Sequence, residues 1–206
     1  MERGETPISP TSTEYMLDLA RIGHMVDIST KIGAVVLDIS TTPISTNFQL
    51  AGDDLNERLR YAPTMLVATI YSVRSRKYRH FLPEHASNLI DILKLANELI
   101  SFNGKKFDLI ILKKHHNLKG RIPKTGVHID LGEIAQEACG KWVTLNELTQ
   151  LNLGEKNLSM NEFREKHGLK HDPANRTDAK AKCKFDVQQT YKLWKLYTIG
   201  QLRYPS

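Results

Sequence analysis

The stretch IGAVVLDISTTP, residues 32–43, decides the fold. Ile32 to Ile39 is a compact, β-branched apolar run that includes Gly33 and stops at the Thr-Thr-Pro turn, so it reads as a buried strand. Its one charged residue, Asp38, stands at the strand's end. Working outward, Met65 to Tyr71 is a second β-rich run, and the basic turn SVRSRK leads to a third strand around Tyr78 to Leu82, giving a meander. From Pro83 the period changes. Leu89, Ile90, Leu93, Ala96 and Leu99 recur at helical spacing, which predicts a helix over 84–99 followed by a short strand. Asn103-Gly104 marks a turn, and Phe107 begins an apolar helix with Asp108 near its start. Thr144 with Glu147, and Ser159 with Glu162, are capping boxes that announce two further helices. A last helix runs from about Thr177 to Ile199, with Val187, Thr190, Leu193, Trp194 and Tyr197 as its packed stripe; Trp142 is also expected in the core. Strands first and helices later, with helices interleaved, indicate an α/β fold: a mixed sheet flanked by helices.

A chain of 206 residues with 40% hydrophobic content supports one core and a single domain. Residues 1–13 carry Pro7, Pro10 and a Ser/Thr cluster and are expected to form a flexible tail. The domain is expected over 14–206, its first helix at 14–26 being an N-terminal extension. Lys and Arg number 29 against 23 Asp and Glu, a net charge of +6. That balance, with a pI near 9.2, favours an anionic partner without naming it, nucleic acid first among the candidates, although on charge alone a surplus of merely solvated lysines fits equally well. Cys139 and Cys183 form no Cys-x-x-Cys pair, which argues against a zinc site or a disulfide framework and for a reducing compartment. No stretch approaches the roughly 20 apolar residues of a membrane span, and the start lacks a secretory pattern. Glu2, Glu5, Glu14 and Asp18 break the pattern of a transit peptide. An intracellular, cytoplasmic protein with no membrane partner is the expectation.

Three carboxylates stand at ends of elements facing one region: Asp38 leaving a strand, Asp108 opening a helix, and Asp186 within the final helix. Grouped oxygen ligands of this kind hold Mg²⁺ or Mn²⁺, which activate water for phosphodiester attack. Taken singly, an Asp at a strand end is a turn former and an Asp on a helix is solvated.

The words VVLDISTTPIS, ISFNGKKFDLIIL, HIDL, VTLNELTQLNLGE and CKFDVQQTYKLW, in that order, resemble the successive motifs of the DEDD 3′–5′ exonucleases. The likeness is greatest to the YprB-type branch of ribonuclease H-like domains, and it runs from about Val35 to Tyr204, the closing GQLRY included. The resemblance implies a ribonuclease H-like domain and a metal-dependent exonuclease working from the 3′ end. It makes Asp38, Asp108 and Asp186 the catalytic metal ligands, with Asp38 bridging two ions. It also places Thr41, Thr42 and Asn103 at the 3′-terminal nucleotide. Asp130 is a weaker candidate, because it stands where it can cap the following helix.

Two departures matter more than the matches. The first motif of the family reads Asp-x-Glu, yet Ser40 stands in the glutamate position, and a neutral hydroxyl supplies none of the charge a cation needs. The third motif places a Tyr, or a His one residue further back, a turn before the last aspartate; here Lys182 and Ala181 occupy those positions. On the surface of a helix, Lys182 and Asp186 would be an ordinary i,i+4 pair worth about 0.3–0.5 kcal/mol. Among clustered carboxylates, the ammonium can instead sit where a divalent cation would neutralise the site. Weak Mg²⁺ or Mn²⁺ binding is therefore expected.

Basic residues gather at Arg74–Arg79, at Lys105 and Lys106 beside the second motif, and in KKHHNLKGR from Lys113 to Arg121, read as a loop able to follow a phosphate backbone, although any one cluster taken alone reads first as a solvated face. His115 and His116 lack a third ligand at metal spacing and read as a surface pair. Three functions follow: an exonuclease with a degenerate site, a pseudo-nuclease that keeps the fold as a module binding single-stranded DNA or RNA or a protein, and a subunit that uses its basic surface for an acidic protein partner.

Overall fold

The computed structural model describes residues 32–52, 54–116, 120–168 and 176–205; the tail and the helix expected before residue 32 lie outside them. The strands are β1 (Ile32–Thr41), β2 (Met65–Ser72), β3 (Lys77–Phe81), β4 (Ala96–Ser101) and β5 (Val127–Asp130). They form one sheet in the order β3-β2-β1-β4-β5. β1 pairs antiparallel with β2, and β2 with β3, while β1, β4 and β5 run parallel. The helices are α1 (Thr46–Leu50), α2 (Leu55–Tyr61), α3 (Ala86–Leu95), α4 (Asp108–His116), α5 (Leu131–Cys139), α6 (Leu145–Leu153), α7 (Met160–Lys166) and α8 (Arg176–Thr198). This is the α/β architecture expected, a mixed sheet flanked by helices, and it is compatible with a ribonuclease H-like fold.

Alternation along β1 builds the two sides of the core. Val35, Leu37 and Ile39 pack with Leu89 and Leu93 of α3 and with Ile111 and Leu112 of α4. Val36 points the other way, into a second cluster with Leu131 and Ala135 of α5, Leu148 of α6, and Val187 and Leu193 of α8. Asp38 and Ser40 continue the Val36 side, toward α8. Both predicted capping boxes are present, Thr144 with Glu147 and Ser159 with Glu162.

Five expectations need correction. The strand expected to stop at Asp38 and Ile39 runs on to Thr41, because Asp38, Ile39 and Ser40 still pair with Thr69, Ala68 and Val67 of β2. The helix predicted over 84–99 ends at Leu95, and Ala96 opens β4, because Leu99 and Ile100 are fully buried when this segment pairs in parallel with β1. Lys113 to His116 are the last turn of α4, not loop. Trp142 is 55% exposed, outside the core, while Trp194 is partly buried against the second cluster. Tyr197, at the end of the α8 stripe, is 37% exposed. Among the described residues, no helix is long and apolar enough to cross a membrane.

β5 can join the sheet only because Gly126 precedes it. A Cβ at Gly126 would lie 2.1 Å from the Asn97 carbonyl oxygen and 2.5 Å from that of Ala96, both backbone atoms that cannot step aside cheaply. Gly126→Ala should therefore lower stability by about 1–3 kcal/mol, read as an earlier urea midpoint; an unchanged midpoint would show that β5 docks more loosely than this.

Candidate functional site

Because β1, β4 and β5 are parallel, their C-terminal ends share one edge. The chain leaves β4 for α4 on one face of the sheet and leaves β5 for α5 on the other, and such a divergence opens a crevice beyond the strand ends. Asp38, Asp108 and Asp130 gather at that edge.

On α8, Ala179, Lys182, Cys183 and Asp186 follow one another at helical spacing and form one face. Ala179 and Cys183 are buried against Val67 of β2. The Cys183 thiol donates to the Asp38 carbonyl oxygen at 3.1 Å, and the Ser40 hydroxyl donates to the Ala179 carbonyl at 3.2 Å. These two bonds clamp the end of β1 to α8 and bring Asp186 within electrostatic reach of Asp38.

Burial first, and then the Asp186 charge, push the Asp38 carboxyl up to about 7, against the opposing effects of Cys183 and Lys182. Asp108 is raised well above the usual carboxylate range by burial, with Asp38 and Asp130 adding to it. Gly104 makes room for this carboxyl, since a Cβ there would lie 3.0 Å from Asp108 Oδ2 and 2.5 Å from Ser101 Oγ. Asp186 is raised by burial while Lys182 and Asn157 pull it down.

The Lys182 ammonium donates to Asp186 Oδ1 at 2.6 Å and to Oδ2 at 2.5 Å, and the Asn157 amide donates to Oδ1 at 2.8 Å. The side chains are only 10% and 13% exposed, so the few tenths of a kcal/mol of a surface pair do not apply; in such a place removal of one partner strands a buried charge. Asn157 could not be found from spacing, as it lies in the segment between α6 and α7 and meets Asp186 only through the fold. Cys183 was findable, being three residues before Asp186 on the same helical face.

The remaining predicted site residues have structural work in this arrangement. The Thr42 amide donates to the Thr64 carbonyl at 2.9 Å, and the Thr64 amide returns to Thr42 Oγ1 at 3.1 Å, just beyond the irregular register at Thr41. Asn103 holds the left-handed conformation at φ 60, and its side chain lies against Gly132. The Asp130 carboxylate accepts from the amides of Asn103 at 2.7 Å, Lys105 at 2.9 Å and Gly132 at 3.1 Å. It thus caps α5 and pins the 103–105 turn, which leaves it little capacity for a cation. Lys105 is exposed and pairs with Glu133, while the Lys106 carbonyl accepts from the Arg58 guanidinium.

The residues present do not fit a two-cation site. Ser40 spends its hydroxyl on helix backbone, and Asp186 is held by Lys182 and Asn157. Among the described residues, no group of three or more His, Cys, Asp or Glu side chains is arranged to hold a metal ion. One atom points the other way: Asp108 Oδ1 is buried without a hydrogen-bond partner.

Fold and site together define an α/β protein with buried, mutually interacting carboxylates near the ends of its parallel strands and a lysine built in among them. The sequence matches no protein-family model and no curated protein.

Proposed function

We propose that this chain is a catalytically silent, nuclease-like module of the ribonuclease H-like type that binds single-stranded nucleic acid. The observation that carries the reading is the Lys182–Asp186 pair, which supplies inside the pocket the positive charge that hydrolysis would need from Mg²⁺ or Mn²⁺. Binding is supported by the net charge of +6 and by the exposed Lys105, Lys113 and Arg121, which line one cleft. The binding test is fluorescence anisotropy of a labelled single strand across a salt series. Affinity should fall steeply with salt as counterions are released, and Lys105→Glu with Lys106→Glu should weaken it about tenfold or more. Negligible affinity even at low salt would defeat the nucleic-acid reading and leave an acidic protein as the partner.

A second reading, an active 3′–5′ exonuclease taking Mg²⁺ or Mn²⁺ on Asp38 and Asp108, is favoured by the unpartnered Asp108 Oδ1. Metal-dependent release of nucleotides by the parent protein is the result that would establish it.

A further inference from the structure

Beside Lys105 of the 103–105 turn, α4 and the segment entering β5 line an open cleft of about 410 Å³. Lys105, Lys113, Arg121 and His128 provide its polar lining, and Leu109 and Ile122 its apolar lining. Among the described residues no carboxylate lines it, and Lys105 is ion-paired with Glu133. His128 adds no charge near neutrality, because burial lowers its imidazole to about 4, and the ring is held by Ser101 Oγ at 2.7 Å.

The cations around the cleft differ in how they are held. Arg121 is oriented by donating to the Gly126 carbonyl at 3.3 Å, the glycine that seats β5 on the sheet. Lys114, the neighbour of Lys113 on α4, spends its ammonium on the carbonyls of Arg60 and Ala62, at 2.8 and 3.1 Å. Lys113 instead faces the cleft and, among the described residues, has no ion-pair partner. A guanidinium fixed from behind and a lysine with free donors suit the oxygens of a phosphate, and an apolar wall beside them suits a sugar or base. The volume falls in the range of small-molecule sites, roughly 300–1,000 Å³, which accommodates one nucleotide.

We propose that this cleft binds the phosphate of a nucleotide, with Lys113 and Arg121 as its principal ligands. The inference deepens the proposed function and rests on it for one of two phosphate sources, an internal phosphodiester of a single strand; the other source is a free mononucleotide.

The experiment has two arms on the full chain, the parent compared with Lys113→Glu/Arg121→Glu and the milder Lys113→Gln/Arg121→Gln. One arm is anisotropy of a fluorescein-labelled oligothymidylate over a salt series; the other is amide chemical-shift mapping with thymidine monophosphate. The charge-reversed variant should lose at least about tenfold in strand affinity, with a salt slope shallower by about 2 and the glutamine variant between it and the parent. The monophosphate should shift the amides of Lys113, Arg121 and His128 in the parent alone. Strand binding that is equal in all three proteins, with no cleft shifts, overturns the cleft and leaves the strand-binding reading standing. Cleft shifts without any strand binding at low salt support the cleft and defeat that reading. Absence of both defeats both.

Discussion

Replacing Lys182 with Met should cost about 3–5 kcal/mol of folding stability at mildly alkaline pH, far more than any surface ion pair, because Asp186 is then left charged and buried without its partner. The cost should shrink on acidification. Asp38 stands at about 7 in the folded chain against an ordinary 3.8, so the folded state holds the extra proton between those values. Stability from that group is fully present below 3.8 and is lost as pH rises through about 7. Without the Lys182 ammonium both Asp38 and Asp186 move further upward, which deepens the penalty above neutrality and lets protonation relieve it below. His80 and His128, each lowered to about 4 by burial, act in the opposite sense, losing stability as pH falls below 6.5. They act alike in parent and variant and cancel in the difference. Urea denaturation of both proteins on either side of neutrality measures it, and adding Asp186→Asn to the variant should recover much of the loss. A difference under about 1 kcal/mol at every pH would mean that the pair is worth no more than a surface one.

The second large effect concerns catalysis. With Mn²⁺ and a 3′-labelled single strand, the parent should release nucleotides only at background. Ser40→Glu alone should gain little, because the new carboxylate must give up the bond to Ala179 and point toward that carbonyl while Lys182 still holds Asp186. Lys182→Tyr alone frees Asp186 but leaves the ligand set one carboxylate short. The double substitution should gain more than the two single gains combined, about 10²-fold over the parent, as groups acting as one unit do. Asp38→Ala in the double variant is the control and should return it to background. Robust parental release abolished by Asp38→Ala would overturn the silent-module reading.

The parts of the fold legible in sequence were those fixed by local chemistry. The β-branched run at Ile32–Ile39 needed no partner to be identified, and Thr144 and Ser159 announce α6 and α7 by satisfying the first amides of their own helices. Ala96 to Leu99 misled because apolar residues at helical spacing also fit a strand buried on both faces, and only pairing with β1 decides between them. β5 escaped notice since VHID is short and polar, and its place depends on the backbone contact at Gly126. Within the pocket, the i,i+4 relation of Lys182 to Asp186 was readable, but its burial was not. Asn157 and the Ser40–Ala179 bond exist only once α8 lies on β1. The three basic segments showed charge alone; that Lys113 and Arg121 face one cleft follows from the fold, which brings the segment entering β5 beside α4.

In the proposed module the Lys182 ammonium is the resident cation among the buried carboxylates. The most direct measurement is a Mn²⁺ titration followed by paramagnetic broadening of backbone amides. Asp38, Asp108 and Asp186 and their neighbours should keep their intensities in the parent while amides near exposed carboxylates fade. Selective broadening at those three aspartates at low metal, abolished by Asp38→Asn, would contradict the account.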